Sequence, residues 1–142
     1  MGIEENKLAA RRLMEEVYNG DNLSLIPELV SPDFVAHVTP EYRGHEGLKQ
    51  HIVESRKAFP DMHFTIDNIL AEGDMVAWRV TMKATHKGNL GEIAPTGNTI
   101  SYTAIAISRY SDGKEVERWQ EMNPLNLYQQ LGALPPNDKI GK

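Results

Sequence analysis

The amino-acid sequence predicts an α+β fold, in which helices come first and an antiparallel sheet follows. The first 61 residues carry apolar side chains at helical spacing around one short strand, whereas residues 62–122 alternate with a period near two. Short turn sequences separate these later segments, as is typical of a meander of neighbouring antiparallel strands. Helices and strands that are segregated in this way pack as helices on one face of a single sheet.

Three helices are predicted before the sheet. Residues 4–19 and residues 46–59 each carry one apolar stripe with charged residues on the remaining surface. Between them, residues 23–30 are predicted to form a shorter helix with a proline in its first turn, where proline is tolerated. A turn at 31–33 and a short strand at 34–38 follow that helix. We expect this half of the chain to cover the sheet.

The sheet is predicted to contain four further strands, whose limits follow from the alternation of apolar and polar residues: 62–71, 74–87, 98–110 and 114–122. Gly73 and Gly113 favour tight hairpins, whereas residues 87–98 form a longer loop. After a break at Asn123-Pro124, residues 125–131 are predicted to form a short C-terminal helix.

Two of the predicted strands indicate what lies on each face of the sheet. In the strand at 74–87, apolar and polar side chains alternate, so one face is buried. In the next strand, Tyr102, Ala104 and Ala106 share a face, and the small side chains leave volume there. This volume either holds a ligand beneath the helices or allows a second subunit to pack closely. Because neither face is fully polar, we also expect a homodimer through the sheet.

Length and composition limit the function classes. With 142 residues, 40% of them hydrophobic, the chain predicts one domain over 1–134 and a flexible tail over 135–142. The net charge of −5 and the lack of a basic stripe argue against nucleic-acid binding. There is no cysteine and no metal-binding or nucleotide-binding motif, so we expect no metal and no cofactor. Without a long apolar run or a signal-peptide pattern, we expect no membrane segment and a cytoplasmic protein.

Five stretches of the sequence carry a resemblance to a known family: FVAH at 34–37, FPD at 59–61, AEGDMVAWRVTMKATHKG at 71–88, APTGNTIS at 94–101 and ISRYSDGKEVERWQEMNPLNLYQQLG at 107–132. In order and spacing they resemble the SnoaL-like polyketide cyclases, also called ester cyclases, of the NTF2-like superfamily. The resemblance covers nearly the whole chain. It implies a cone, in which about three helices cover the concave face of a curved, mostly antiparallel sheet, with a short C-terminal helix beside it. It also implies dimers that pair through the sheet.

The resemblance implies cofactor-free chemistry on a small carbonyl-bearing, polyketide-like molecule. Family cyclases close rings by an intramolecular aldol step. They use an Asp directly after the Trp of the last strand and a His on the preceding strand as acid/base groups. In this chain the residue after Trp119 is Gln120, and the facing positions are Ala104 and Ala106. An amide cannot accept the proton that enolisation removes, because a general base needs a pKa within reach of neutral pH.

Two other functions remain open beside cyclisation or isomerisation. Gln120 and the two alanines are also compatible with a non-catalytic module that binds a small ligand. An epoxide-hydrolase-like activity, found in related cones, requires a carboxylate that activates water.

Polar residues near the predicted pocket supply the candidate site. Four side chains are candidate acid/base groups: His37, His51, Glu54 and Glu121. Glu121 points to the face opposite Gln120 unless a one-residue bulge turns it inward. Five side chains on one face of the last two strands are candidate ligand-binding groups: Tyr102, Ala104, Ala106, Arg118 and Gln120. Arg118 and Gln120 would hydrogen-bond an anionic or carbonyl-bearing ligand, or find partners within the protein.

Overall fold

A computed structural model describes residues 2–139 and confirms the predicted α+β fold. Its elements, in chain order, are α1 (Ile3–Arg12), α2 (Ile26–Leu29), β1 (Val30–His37), β2 (Tyr42–Arg43), α3 (Gly44–Ala58), β3 (His63–Glu72), β4 (Met75–Thr85), β5 (Thr99–Ser111), β6 (Lys114–Met122) and α4 (Pro124–Gln130). The first helix continues as π-helical turns over Leu13–Asn19, and short 3-10 turns lie at Leu23–Leu25 and Asn137–Lys139.

The six strands form one curved sheet in the spatial order β2-β1-β6-β5-β4-β3. All neighbouring strands are antiparallel except β1 and β6, which run parallel. The three helices that precede β3 pack on the inner face, and α4 follows the last strand. The predicted arrangement of a mostly antiparallel sheet with about three covering helices and a short C-terminal helix is therefore confirmed.

The end of the first helical segment is fixed to the sheet by side chains. The Asn19 amide makes two hydrogen bonds to the backbone of Phe64 in β3, at 2.8 and 2.7 Å. The Arg56 guanidinium of α3 donates to the carbonyl oxygen of Tyr18. Wider π-helical turns are frequent at functional sites. Here they direct Met14 and Tyr18 toward the inner face of the sheet.

The segment between the first and third helices differs from the prediction. The expected helix at 23–30 is a 3-10 turn followed by the four-residue α2, and the expected turn at 31–33 lies inside β1. Val30 is β-branched and pairs with Glu115, so the strand begins there. The register to β6 is irregular between Val30 and Val35, which is where a strand tolerates a proline.

Apolar side chains separate the two faces of the sheet. The predicted inward set on β4 is buried: Val76, Trp78, Val80, Met82 and Ala84. On the outer face, large apolar side chains remain exposed: Leu70, Ile105, Ile107 and Trp119. Within residues 2–139, no helix is both long enough and apolar enough to cross a bilayer.

The C-terminal segment lies against α4. The Gln129 side chain donates to the Pro135 carbonyl oxygen at 3.0 Å and to Asn137 Oδ1 at 2.7 Å. Residues 140–142 of the predicted tail lie outside the described residues. The division into a domain over 1–134 and a flexible tail remains a prediction.

Candidate functional site

A cavity of about 180 Å³ lies between the helices and the inner face of the sheet. All five candidate ligand-binding side chains line it, together with the candidate base His51. Much of the remaining wall is methionine or aromatic: Met14, Tyr18, Phe59, Met62, Phe64, Trp78, Met82 and Met122. Four of the six methionines of the chain line this cavity. Such side chains adapt readily to apolar ligands. We call this space the inner cavity.

A wider opening of about 710 Å³ adjoins the inner cavity, and we call it the mouth. His51, Gln120, Met122 and Leu127 line both spaces, so the mouth is the entrance to the inner cavity. The other three candidate acid/base groups lie only in the mouth: His37, Glu54 and Glu121. The structure therefore brings His51 together with the ligand-binding set and leaves these three outside the inner cavity.

A buried ion pair forms the floor of the inner cavity. Arg118 donates from Nε and Nη2 to the two carboxylate oxygens of Glu115, at 2.8 Å each. The Ser108 hydroxyl donates to Glu115 Oε2 at 2.6 Å, and Trp78 Nε1 donates to that hydroxyl at 3.2 Å. Burial alone would lower the pKa of Arg118, but the Glu115 carboxylate and Tyr18 raise it well above its ordinary value. The cavity floor thus carries two opposite charges and no net charge.

A bulge in β6 explains how Glu115 reaches Arg118. Strict alternation would place Glu115 on the outer face with Glu117, but the register shifts between the pairs Arg109–Glu117 and Tyr110–Glu115. Val116 is the extra residue, and it returns Glu115 to the inner face. A bulge is therefore present in this strand, although not at the position that would turn Glu121 inward.

Two tyrosine hydroxyls enter the inner cavity. Tyr18 Oη accepts a hydrogen bond from Arg118 Nη1 at 3.1 Å and a second one from the Tyr42 hydroxyl. Its own O–H can still donate. Tyr102 has no hydrogen-bond partner within residues 2–139, and burial, with a smaller effect of Tyr18, raises its pKa to about 12. The Tyr102 hydroxyl therefore remains a protonated donor. Period-two alternation placed Tyr102 in the site, but the sequence carried no comparable signal for Tyr18, which depends on π-helical turns.

His51 stands where the inner cavity meets the mouth. Its ring stacks on Tyr42, with centroids 4.6 Å apart and planes inclined by 15°. Burial, and to a smaller extent the Arg118 charge, lowers the pKa of His51 to about 4. The His51 side chain is nevertheless exposed by surface area, toward both the inner cavity and the mouth. Water therefore screens the imidazole, and its pKa is lowered less than in a dry interior. At neutral pH the imidazole is uncharged and can accept a proton.

His37, the last residue of β1, is held by contacts with two carboxylates and with one aromatic ring. Its Nε2 lies 2.8 Å from Glu117 Oε2 and its Nδ1 lies 3.4 Å from Glu41 Oε2. The ring stacks on Trp119 at 5.2 Å. Hydrogen bonds from His37 and then from Arg109 lower the pKa of Glu117. These contacts fix the His37 ring between the outer face and the mouth.

Glu54 and Glu121 are exposed to solvent. Glu54 lies 3.6 Å from Lys57 Nζ, which is a weak surface pair. Glu121 pairs in regular register with Ile105, whereas Gln120 pairs with Ala106, so the two side chains point to opposite faces. Within residues 2–139, no group of three or more His, Asp or Glu side chains is placed to hold a metal ion.

Comparison with known proteins decides the family. The model for SnoaL-like polyketide cyclases matches residues 8–131. The chain belongs to this family. Membership supports a role of the cyclase or isomerase type on polyketide-like molecules.

Three relatives of this SnoaL-like protein span most of its length. Aklanonic acid methyl ester cyclase AcmA from Streptomyces galilaeus is 26% identical, over 89% of this chain and 90% of its own. The crystal structure of AclR from the same organism, a provisionally assigned hydroxylase, is 33% identical with a TM-score of 0.84, covering 98% and 88% of the two chains. A SnoaL-like protein from Jannaschia sp. CCS1 has a TM-score of 0.85 at 19% identity, over 94% and 95% of the chains, which supports the shared cone fold.

Proposed function

We propose that this SnoaL-like protein is a cofactor-free enzyme that moves a proton on a small, neutral, carbonyl-bearing, polyketide-like molecule. One observation carries the proposal. The imidazole of His51, the hydroxyl of Tyr102 and the amide of Gln120 face one apolar cavity, and none has a hydrogen-bond partner within residues 2–139. Polar groups in such a place are available to a ligand.

The size of the inner cavity indicates how such a ligand would lie. Pockets for drug-sized molecules usually measure about 300–1,000 Å³, and the inner cavity measures about 180 Å³. A polyketide-like molecule would therefore place its reacting end in the inner cavity and its remaining rings in the mouth. His51 and Gln120, which line both spaces, would then flank the reacting carbon.

The proposed step is an intramolecular aldol reaction or the corresponding isomerisation. The neutral His51 imidazole takes a proton from the carbon next to a carbonyl group. Its access to water at the mouth keeps its pKa closer to neutral pH than full burial would. The hydroxyls of Tyr18 and Tyr102 donate hydrogen bonds to the enolate oxygen as it becomes negative. The enolate carbon then bonds to a second carbonyl carbon, and the resulting alkoxide takes up the proton. No atom is gained or lost, so the reaction requires no oxidant, reductant or co-substrate.

The competing function is binding without catalysis. Its specific support is that Arg118, the one cation lining the inner cavity among the described residues, is already bonded to Glu115 and Tyr18. For an epoxide-hydrolase-like reaction, a carboxylate would have to activate water. Within residues 2–139 no Asp or Glu lines the inner cavity, so we do not propose that reaction.

The experiment uses aklanonic acid methyl ester, the compound after which the relative AcmA is named. The purified protein is incubated with it in deuterium oxide, and ring closure and deuterium uptake are followed by mass spectrometry. We expect both in the wild type, and a loss of about 10²–10⁴-fold in His51→Ala, as is usual when a general base is removed. The matched control is His63→Ala, which removes an exposed histidine at the start of β3.

Deuterium uptake separates the two functions. If the ester binds, as judged by quenching of tryptophan fluorescence, but neither exchanges nor closes, the protein is a binding module. If His51→Ala exchanges deuterium as fast as the wild type, His51 is not the base.

We also propose that two copies pair through the outer face of the sheet. Leu70, Ala77, Ile107 and Trp119 form one continuous row across β3, β4, β5 and β6 in the observed register. Three of these four side chains are large, apolar and exposed. An apolar row of this kind commonly marks a contact surface.

A further inference from the structure

The loop between β4 and β5 forms one wall of the inner cavity. Of residues 87–98, Leu90 is the one whose side chain lines that cavity. Leu90 and Ile93 exchange two backbone hydrogen bonds of 2.9 Å each, and both side chains pack against the core. The other residues from 89 to 98 are exposed. This wall therefore rests on one short backbone bridge and two apolar side chains.

Both ends of the loop are fixed. At its start, the Gly88 N–H donates to the Ala58 carbonyl oxygen at 3.1 Å. A Cβ on Gly88 would lie 2.0 Å from the Lys57 carbonyl oxygen, so no side chain fits there. At its end, the Gly97 N–H donates to the His86 carbonyl oxygen at 2.9 Å. Any adjustment of the loop is therefore confined to the part that carries Leu90.

A buried histidine ties the end of the loop to the cavity wall. His86 Nδ1 accepts the Thr96 N–H at 3.2 Å and lies 3.0 Å from Thr96 Oγ1. His86 Nε2 is buried and has no hydrogen-bond partner within residues 2–139. The His86 ring lies 5.6 Å from the ring of Phe59, whose side chain lines the inner cavity. We call the contact between His86 and Thr96 the clasp.

The remaining wall is better supported than Leu90. Apart from Phe59 and Met62, which follow α3, the other lining side chains belong to helices and strands. Those elements are held by continuous backbone hydrogen bonds, so their side chains have little freedom to retreat. Phe59 and Met62 are fully packed in the core, whereas Leu90 is only half-buried. Leu90 is thus the lining side chain that can yield or be replaced with least disturbance to the helices, the sheet and the core.

We propose that Leu90 is a specificity-determining residue, which sets the length of the apolar group that the inner cavity accepts. The clasp is a positioning contact that holds Leu90 in place. This inference rests on the proposed function, because it takes the ligand to be apolar and carbonyl-bearing. Burying one methylene is worth about 0.8 kcal/mol, or roughly a fourfold change in affinity. Affinity should therefore rise with chain length until the chain meets Leu90.

The test uses alkyl phenyl ketones from acetophenone to octanophenone, with dissociation constants measured by ligand-observed NMR. In the wild type, we expect roughly fourfold tighter binding per methylene up to a limiting length. Leu90→Ala should move that limit to longer ketones by two or three carbons, and Leu90→Phe should move it to shorter ones. The matched control is Leu70→Ala, the same replacement at an exposed leucine on the outer face.

Hydrogen exchange of the loop amides tests the clasp separately. Thr96→Val keeps the shape of the side chain and removes its hydroxyl, so the Leu90 and Ile93 amides should exchange hydrogen faster and the length limit should broaden. Unchanged exchange in this variant would exclude the clasp as a positioning contact. An unchanged length limit in folded Leu90→Ala overturns the role of Leu90 and leaves the proposed function standing. Failure of every ketone to bind the wild type instead removes the proposed function.

Discussion

Gln120 occupies the inner face of β6, opposite Ala106 of β5. The family resemblance places an aspartate at this position, and the structure directs the Gln120 side chain into the inner cavity. The resemblance expects the acid/base groups on two strands. In this chain the candidate base that lines the inner cavity is His51, which lies on α3.

Replacing Gln120 by Asp tests whether the position is still suited to a base. If the cavity accepts aklanonic acid methyl ester, Gln120→Asp should raise the rate of ring closure, because a carboxylate can take the proton that an amide cannot. The rate is measured by liquid chromatography with mass spectrometry. Gln120→Glu, which moves the carboxylate by one methylene, is the control. A substrate that binds Gln120→Asp without faster closure would contradict this prediction.

The pKa of His51 predicts a dependence of stability on pH. Burial depresses the pKa of the His51 imidazole from 6.5 to about 4 in the folded state. Between these values the unfolded chain binds a proton that the folded chain does not, so stability is lost as the pH falls from 6.5 toward 4 and is retained above 6.5. Urea unfolding at pH 7 and pH 5 should show a larger loss for the wild type than for His51→Phe. Equal losses in the two proteins would contradict the prediction.

Alternation along the strands is sufficient to predict which residues of β5 face the inner cavity. Tyr102, Ala104 and Ala106 were assigned to one face by a period of two, and the structure places them in the inner cavity. Tyr18 could not be found this way, because its direction depends on the π-helical turns and on Arg118. Long-range contacts of this kind leave no local pattern in the sequence.

At the scale of elements, β6 shows what periodicity misses. Alternation would have placed Glu115 outside, and only the extra residue Val116 brings it to Arg118. The buried pair is costly to form without full hydrogen bonding. Ser108 and the two bonds to Arg118 supply that bonding. A bulge is fixed by such partners, which lie elsewhere in the chain, so its position was not predictable from β6 alone.

The hairpin between β5 and β6 supplies a test of turn geometry. Gly113 has a φ of 77°, where a side chain is unfavourable, so Gly113→Ala should cost about 1–2 kcal/mol of unfolding free energy. The control is Gly47→Ala in α3, where a Cβ meets Tyr42 at an ordinary 3.5 Å. It should stabilise by about 0.5–1 kcal/mol, because alanine favours a helix. Urea unfolding curves measure both changes, and equal effects would contradict the assignment of the turn.

At the scale of the whole molecule, the outer apolar row predicts the oligomeric state. Light scattering after size exclusion should give twice the chain mass of 16.0 kDa for the wild type. Ile107→Lys places a charge in the centre of the row and should give the monomer mass. The matched control is Leu134→Lys. The side chains of Ile107 and Leu134 are equally exposed, at 42%, but Leu134 lies after the last strand. A wild-type monomer, or dissociation by both variants, would count against pairing through this face.

The parallel pairing of β1 with β6 has a consequence for synthesis of the chain. The bond between His37 and Glu117 joins residues 80 positions apart, so this pair closes only after a long segment has been made. Until residues 114–122 leave the ribosome, β1 and β5 each keep a strand edge without its final neighbour. Unpaired edges invite association with other chains. We therefore expect chains that still lack the last strand to aggregate more readily than the complete chain.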